Sequence, residues 1–443
     1  MDKIYKQDTV PETTTSYVLR IGIFFDGTGN NAGNAIPTHS HLQENTGTDS
    51  SYANAKTNIA LLHALYPTGQ PQTTAQKHFL KMYIEGIGTT QASADSAFGQ
   101  ATGRGQTGVE ARVQQALSMI EQQLNSWLQT HPQPEHIEFD LFGFSRGAAA
   151  ARHLLNRLHD DTPICFLCPH LKTRINFIGL FDTVAAIIAP LHNSLSQGKA
   201  RFGKLRLGLA PGKARKVVQL VASDEHRHNF PLVRTDHDIL LPGVHSNIGG
   251  GYLESLREHV LLCKPNSSRV ALATPVEQTR AYAITRTLLE QAYTELPSPR
   301  PQLLTWEEPI AGSRSRRDDP EKQVYAAVQW SREVKGHLSR IYLSIMRELA
   351  VRGGVPFARL GDDPAHGLPD DLQAISRKLH DFALGRRAEP GLTQEEHTQL
   401  RANYIHTSAN WNALKGLCNS SLDQLYINRP AEAGRVMHAN PVQ

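Results

Sequence analysis

The chain has 443 residues, 40% hydrophobic and 20% charged, with a formal net charge of +4; this is the profile of an ordinary globular protein and excludes a disordered or low-complexity one. The charge is small for the length and gives no clustered Lys/Arg footprint, so no nucleic-acid partner is expected. Four Cys are too few for a disulfide framework, and at about 150 residues per domain the length suggests two or three domains.

Residues 1–16 are polar, with no apolar h-region of a secretory signal, and no run approaches the roughly 18 apolar residues of a spanning helix. The expectation is a chain made in the cytoplasm that leaves the cell, if it does, by a route that reads no N-terminal signal. Residues 17–25 (YVLRIGIFF) predict a buried strand, closed by the turn signal Asp26-Gly27-Thr28-Gly29-Asn30-Asn31. A short helix is expected at 56–66, a strand at 79–87, and a Gly-rich loop at 88–108. Val109, Val113, Leu117, Ile120, Leu124 and Leu128 recur at helical spacing over 109–129. A strand at 137–144 (IEFDLFGF) then turns at Ser145-Arg146-Gly147 into an Ala- and Leu-rich helix, 147–158. Further strands are read at 174–182 and 216–223, and a strand or helix start at 238–244. Residues 190–215 read as a basic, Gly-rich surface loop. After 252 the strand signals fade: 264–276 and 296–322 look like linkers, and 323–352, 370–386 and 394–416 carry mainly helical patterns. Strands alternating with helices predict an α/β fold with a mostly parallel sheet, whose ligands gather at the carboxyl ends of the strands.

Each chemistry-bearing motif sits at such an end. Gly143-Phe144-Ser145-Arg146-Gly147 is a full G-x-S-x-G between a strand and a helix, the context of a nucleophile elbow. The Arg146 N–H then lies at a helix N-terminus, where it can stabilise an oxyanion. A Ser hydroxyl needs a base steadied by a third group, in the chain order Ser, acid, His. Asp182 closes an apolar strand and is the candidate acid, with helix capping as its structural alternative. His245, between an apolar run and Gly249-Gly250-Gly251, is the candidate base, with His406 as runner-up. The loop at Gly27 and Thr28 reads as the second wall of an oxyanion hole, or as a tight turn packed under the active site. It fails as a phosphatase motif because Phe24 stands where that chemistry needs Asp.

Two patterns are set aside. Gly103-Arg104-Gly105-Gln106-Thr107-Gly108 is a formal G-x-G-x-x-G, but no strand immediately precedes it and no acidic residue follows in a βαβ unit, so no dinucleotide is expected. Cys165-x-x-Cys168 with His170 is half a zinc site whose second half is missing. Neither a metal nor any other cofactor is expected.

In combination, Phe25 to Asn31, Gly143 to Ala148, Phe181-Asp182-Thr183-Val184, Asp224-Glu225-x-Arg227 with Phe230, and Gly243-Val244-His245-Ser246 through Tyr252 resemble the catalytic domain of type VI secretion phospholipase effectors of the first lipase-effector class. The likeness covers about residues 17–255, with weaker echoes at Tyr404 to Ser408 and Asn428-Arg429-Pro430. It implies an α/β-hydrolase core over 17–255; from its position and its loss of strand pattern, 256–443 is expected as a mainly helical cap, membrane-facing lid or accessory region, returning to the core near 404–443. It further implies a Ser145–Asp182–His245 triad cleaving acyl esters of glycerophospholipids, with Arg146 and Gly27 or Thr28 serving the oxyanion. Delivery by a type VI spike or adaptor protein into a rival bacterium, action at that cell's membranes, and a cognate immunity protein in the producer follow from the same likeness. One departure is Asn247, where the family usually has Asp. The other readings are a soluble esterase with the same triad and a non-catalytic toxin or adaptor on a hydrolase scaffold.

Overall fold

The structure, a computed structural model, describes residues 17–30, 32, 54–69, 77–87, 108–160, 171–185, 204–310, 320–361, 363–412 and 426–442. The glycine-rich segment 103–107, Cys165, Cys168 and His170 lie outside them.

Six strands form the central sheet: β1 (Val18–Phe25), β2 (Lys77–Ile84), β3 (His136–Phe144), β4 (Lys172–Phe181), β5 (Lys216–Ala222) and, at the far edge, β7 (Asp238–Leu241). Their order is β2-β1-β3-β4-β5-β7, and every pairing is parallel. The short β6 (Leu232–Val233) stands outside this sheet and pairs with β12 (Met437–His438). Parallel strands are covered on both faces, so their sequences are near-continuously apolar, which is why they were legible as buried runs. The two-residue period of a strand sends Leu19, Ile21, Ile23, Ile137, Phe139 and Leu141 to one face. Phe24, Phe142, Phe144, Phe177 and Phe181 go to the other.

On the first face lie α2 (Val109–Leu128) and α3 (Arg146–Asp160). Val109, Val113, Ala116, Ile120, Leu124 and Trp127 form the buried stripe of α2, at the expected helical spacing. On the second face lie α1 (Asn58–Leu65) and α6 (Leu338–Arg352), the latter burying Leu338, Ile341, Tyr342, Ile345 and Met346 beneath the sheet's phenylalanines. The chain therefore rejoins the core at 338, well before the return expected near 404. Among the described residues no helix is long and apolar enough to cross a membrane.

Residues 255–335, expected as linkers and helices, instead hold four strands. These are β8 (Ser255–Leu261), β9 (Asn266–Ala271), β10 (Gln302–Pro309) and β11 (Glu321–Lys335). They form an antiparallel sheet in which the fifteen-residue β11 pairs β10 along one edge, and β9 and then β8 along the other. The physical cause of the misreading is composition. The segment Glu321–Lys335 is rich in Ala, Gln, Glu, Arg and Lys, which are good helix formers, and β propensity yields to cross-strand packing. Helix α5 (Arg280–Ala292) packs on this sheet, and α7 (Asp370–Ala383) and α8 (Gln394–Asn403) complete the C-terminal half.

Candidate active site

The strand order reverses direction between β1 and β3, and at such a switch point the strands' carboxyl ends leave a crevice. Ser145 sits in the one-residue turn between β3 and α3, with φ at 59°. A serine pays for the left-handed region, and this outlier is held by a bond from its N–H to Phe181 O at 3.0 Å. The flanking glycines are required by contact. A Cβ at Gly143 would lie 2.4 Å from Gly147 O, and one at Gly147 would lie 2.4 Å from both Phe25 O and Asp26 O. The helix can therefore leave the strand steeply and start against the end of β1.

Asp182 follows β4, fully buried and also left-handed at φ 46°. Its Oδ2 faces His245 Nδ1 at 2.5 Å, and its Oδ1 accepts the Ala222 N–H at 3.1 Å. Burial pushes this carboxyl up, but Arg435 and His245 outweigh it and hold Asp182 well below the usual carboxylate range. His245 opens the short helix α4 (His245–Gly249) and is itself buried. Its ring packs on Phe144, the residue before Ser145, at 4.7 Å between centroids, and on Phe230 at 5.1 Å. Burial lowers its pKa despite the opposing pull of Asp182. Three contacts hold α4 and the turn that leads into it. Asn58 donates to Ile248 O at 2.9 Å, Tyr342 donates to Pro242 O, and Glu225 accepts the His245 N–H at 3.2 Å. Glu225 is gripped by Arg227, whose Nε and Nη2 donate at 3.0 and 2.9 Å; burial would raise it, yet Arg227 and its neighbours bring it down to about 2.

The oxyanion candidates part company. The Gly27 N–H is donated to Asp26 Oδ1 at 2.6 Å and is thus committed. The Thr28 N–H has no acceptor among the described residues, while its Oγ1 accepts from Arg146 Nε at 2.7 Å. That bond ties the β1 loop to the elbow. Burial drops the Arg146 guanidinium to about 9. Beneath the loop, Asp26 also accepts from Thr57 at 2.7 Å and Tyr83 at 2.5 Å, and burial raises it to about 6 against these bonds.

His406 lies elsewhere in the cluster: it stacks on Tyr252 at 3.6 Å and bonds to Asn247 at 3.0 Å, whereas the Asp182 carboxylate is bonded to His245. Sequence reasoning missed Arg435, whose guanidinium grips Asp182 at 2.8 and 2.7 Å. No motif surrounds it, and 253 residues separate the two. Among the described residues no group of three or more His, Cys, Asp or Glu could hold a metal.

A parallel sheet carrying a strained Ser, an Asp and a His at the carboxyl ends of its strands defines an α/β-hydrolase-like class of protein. Within that class, the chain belongs to the Tle1-like phospholipase effectors of the type VI secretion system, whose catalytic-domain model matches residues 20–162 and 167–274. The solved structure of the Tle1 effector bound to the VgrG spike from the Type 6 secretion system is similar over 96% of this chain and 94% of that one, at 27% identity and TM-score 0.75. A crystal structure of an uncharacterized protein from Pseudomonas aeruginosa aligns with 95% of this chain and 57% of that chain, at 17% identity and TM-score 0.45. No curated protein matches the chain.

Proposed function

We propose that this effector is a serine-dependent phospholipase of the A type, cleaving acyl esters of membrane glycerophospholipids with a Ser145–Asp182–His245 triad. The observation that carries the reading is the Asp182–His245 bond of 2.5 Å, with that imidazole ring packed on the residue preceding a left-handed Ser145. His245 removes the hydroxyl proton as Ser145 attacks the acyl carbonyl, and Asp182 holds the ring in the tautomer with Nε2 free to receive that proton. The Arg146 and Thr28 N–H groups receive the developing oxyanion; the Gly27 N–H, already given to Asp26, keeps the loop in shape instead. His245 then protonates the departing lysolipid oxygen and activates the water that clears the acyl-enzyme.

The family supports the wider setting. The Tle1 effector of the similar structure is bound to a VgrG spike, and we extend a spike or adaptor partner to this chain. It is made in the cytoplasm and delivered by the type VI machine to a rival bacterium's membranes, while a cognate immunity protein guards the producer.

A fluorophosphonate label combined with fatty-acid release from phospholipid vesicles tests the chemistry. Wild-type protein takes the label, and Ser145→Ala takes none and loses at least about a thousandfold in release. Unlabelled wild-type protein would refute the assignment. Preference for short soluble esters over vesicles would redirect it to a soluble esterase. Undiminished toxicity of Ser145→Ala would point to a non-catalytic toxin or adaptor.

A further inference from the structure

Arg435 donates Nη1 to Asp182 Oδ1 at 2.8 Å and Nη2 to Oδ2 at 2.7 Å, a fork matched to the carboxylate plane. Both side chains are out of solvent, at 6% and 0% exposure. The guanidinium is itself aimed: its Nε donates to Phe230 O at 2.7 Å, and the backbone beside it is pinned where Leu232 N–H meets Val436 O at 2.9 Å and β12 pairs β6. Asn440 extends the hold, bonding Leu209 through both ends of its amide and accepting from Arg152. With the Ala222 N–H and His245, these bonds leave Asp182 no freedom to turn.

We propose that Arg435 is a positioning residue for the hydrolytic reaction, fixing the plane of Asp182 and setting the proton affinity of His245 through it. The proposal rests on the triad reading above. Its logic is a charge count. An acid facing His245 alone spends its full charge on the imidazolium and raises the base's pKa; an acid shared with a guanidinium spends less. The base then stays neutral, and active, to lower pH. The charged groups facing this centre are Asp182, Arg435, Glu225 and Arg227, and of these only Arg435 grips both oxygens of the acid.

The experiment is the pH profile of vesicle hydrolysis for wild type, Arg435→Gln and Arg435→Lys, each with a thermal melt, and Ser145→Ala as control. Arg435→Gln is expected to cut kcat by about tenfold or more, leave KM within about twofold, and move the acid limb up by about one pH unit. Arg435→Lys keeps the charge without the fork, so its acid limb stays near wild type while kcat is only partly recovered. A purely structural residue would lower the melt without moving the limb. A folded Arg435→Gln with wild-type kcat and limb overturns the proposal. If that variant does not fold, Arg435→Lys decides: a wild-type kcat overturns the proposal, and a lowered kcat at an unchanged melt supports it. An inactive Ser145→Ala beside a wild-type-like Arg435→Gln overturns Arg435 alone, whereas an active Ser145→Ala removes the triad and this proposal with it.

Discussion

Asn247 stands where the family resemblance leads one to expect Asp, and its amide uses both ends. Oδ1 accepts from the N–H groups of Val244 at 3.1 Å and His406 at 3.2 Å. Nδ2 donates to Tyr404 O at 3.0 Å and faces His406 Nδ1 at 3.0 Å. An acceptor at Nδ1 puts the His406 proton on Nε2, and burial keeps that ring far below its ordinary pKa. A carboxylate here would oppose Tyr404 O with nothing to donate. Asn247→Asp should therefore cost about 1–3 kcal/mol near pH 8. Part of that loss should return near pH 6, because a protonated His406 can donate to the new carboxylate. The new carboxylate moves the folded pKa of His406 upward from its lowered wild-type position, so this offset appears as pH falls and disappears as pH rises through that folded value. Thermal melts at the two pH values check this, and an equal deficit at both would contradict it. The resemblance could flag Asn247 as a departure, but its partners in the segment 404–406 were not legible from the sequence.

The elbow is an element whose form was readable in one line of sequence, because its causes are local. An apolar strand, a glycine on either side of one serine and an Ala-rich helix leave one arrangement. Its tolerance is correspondingly narrow. Gly147→Ala puts a methyl 2.4 Å from the backbone oxygens of Phe25, the last residue of β1, and of Asp26 just after it, neither of which can swing aside. The expected cost is about 1–3 kcal/mol, and hydrolysis should fall by about tenfold or more as the helix start moves off the β1 loop. Wild-type melting and rate together would show that β1 yields more easily than its contacts suggest. The antiparallel sheet is the opposite case. Nothing within Glu321–Lys335 distinguishes a strand from an amphipathic helix until β8, β9 and β10 lie beside it. The strand at Gln302–Pro309 was hidden by the prolines before it.

Across the whole molecule, the 21 histidines noted in the composition become a titration problem. Burial leads the lowering of His63 (to about 4), His78, His153, His228, His245, His337, His406 and His438. A lowered folded pKa means that the unfolded chain takes up protons first. The stability these groups supply is complete above about pH 6.5 and drains away as pH falls toward their folded values. Asp26, raised to about 6, and Glu258, also raised by burial, run the other way, and they are two groups against eight. The melting temperature should therefore fall steeply between about pH 7 and pH 5, and a flat profile over that range would count against the burial of these rings. The parallel architecture was legible because each strand announces itself by an apolar run. Contacts between distant segments were not, and the sequence separation of 253 from Asp182 to Arg435 is the clearest instance. That separation also has a meaning in time. A ribosome delivers Ser145, Asp182 and His245 long before it delivers Arg435, whose guanidinium holds Asp182. A chain arrested between the two would carry Ser145, Asp182 and His245 without the clamp on Asp182.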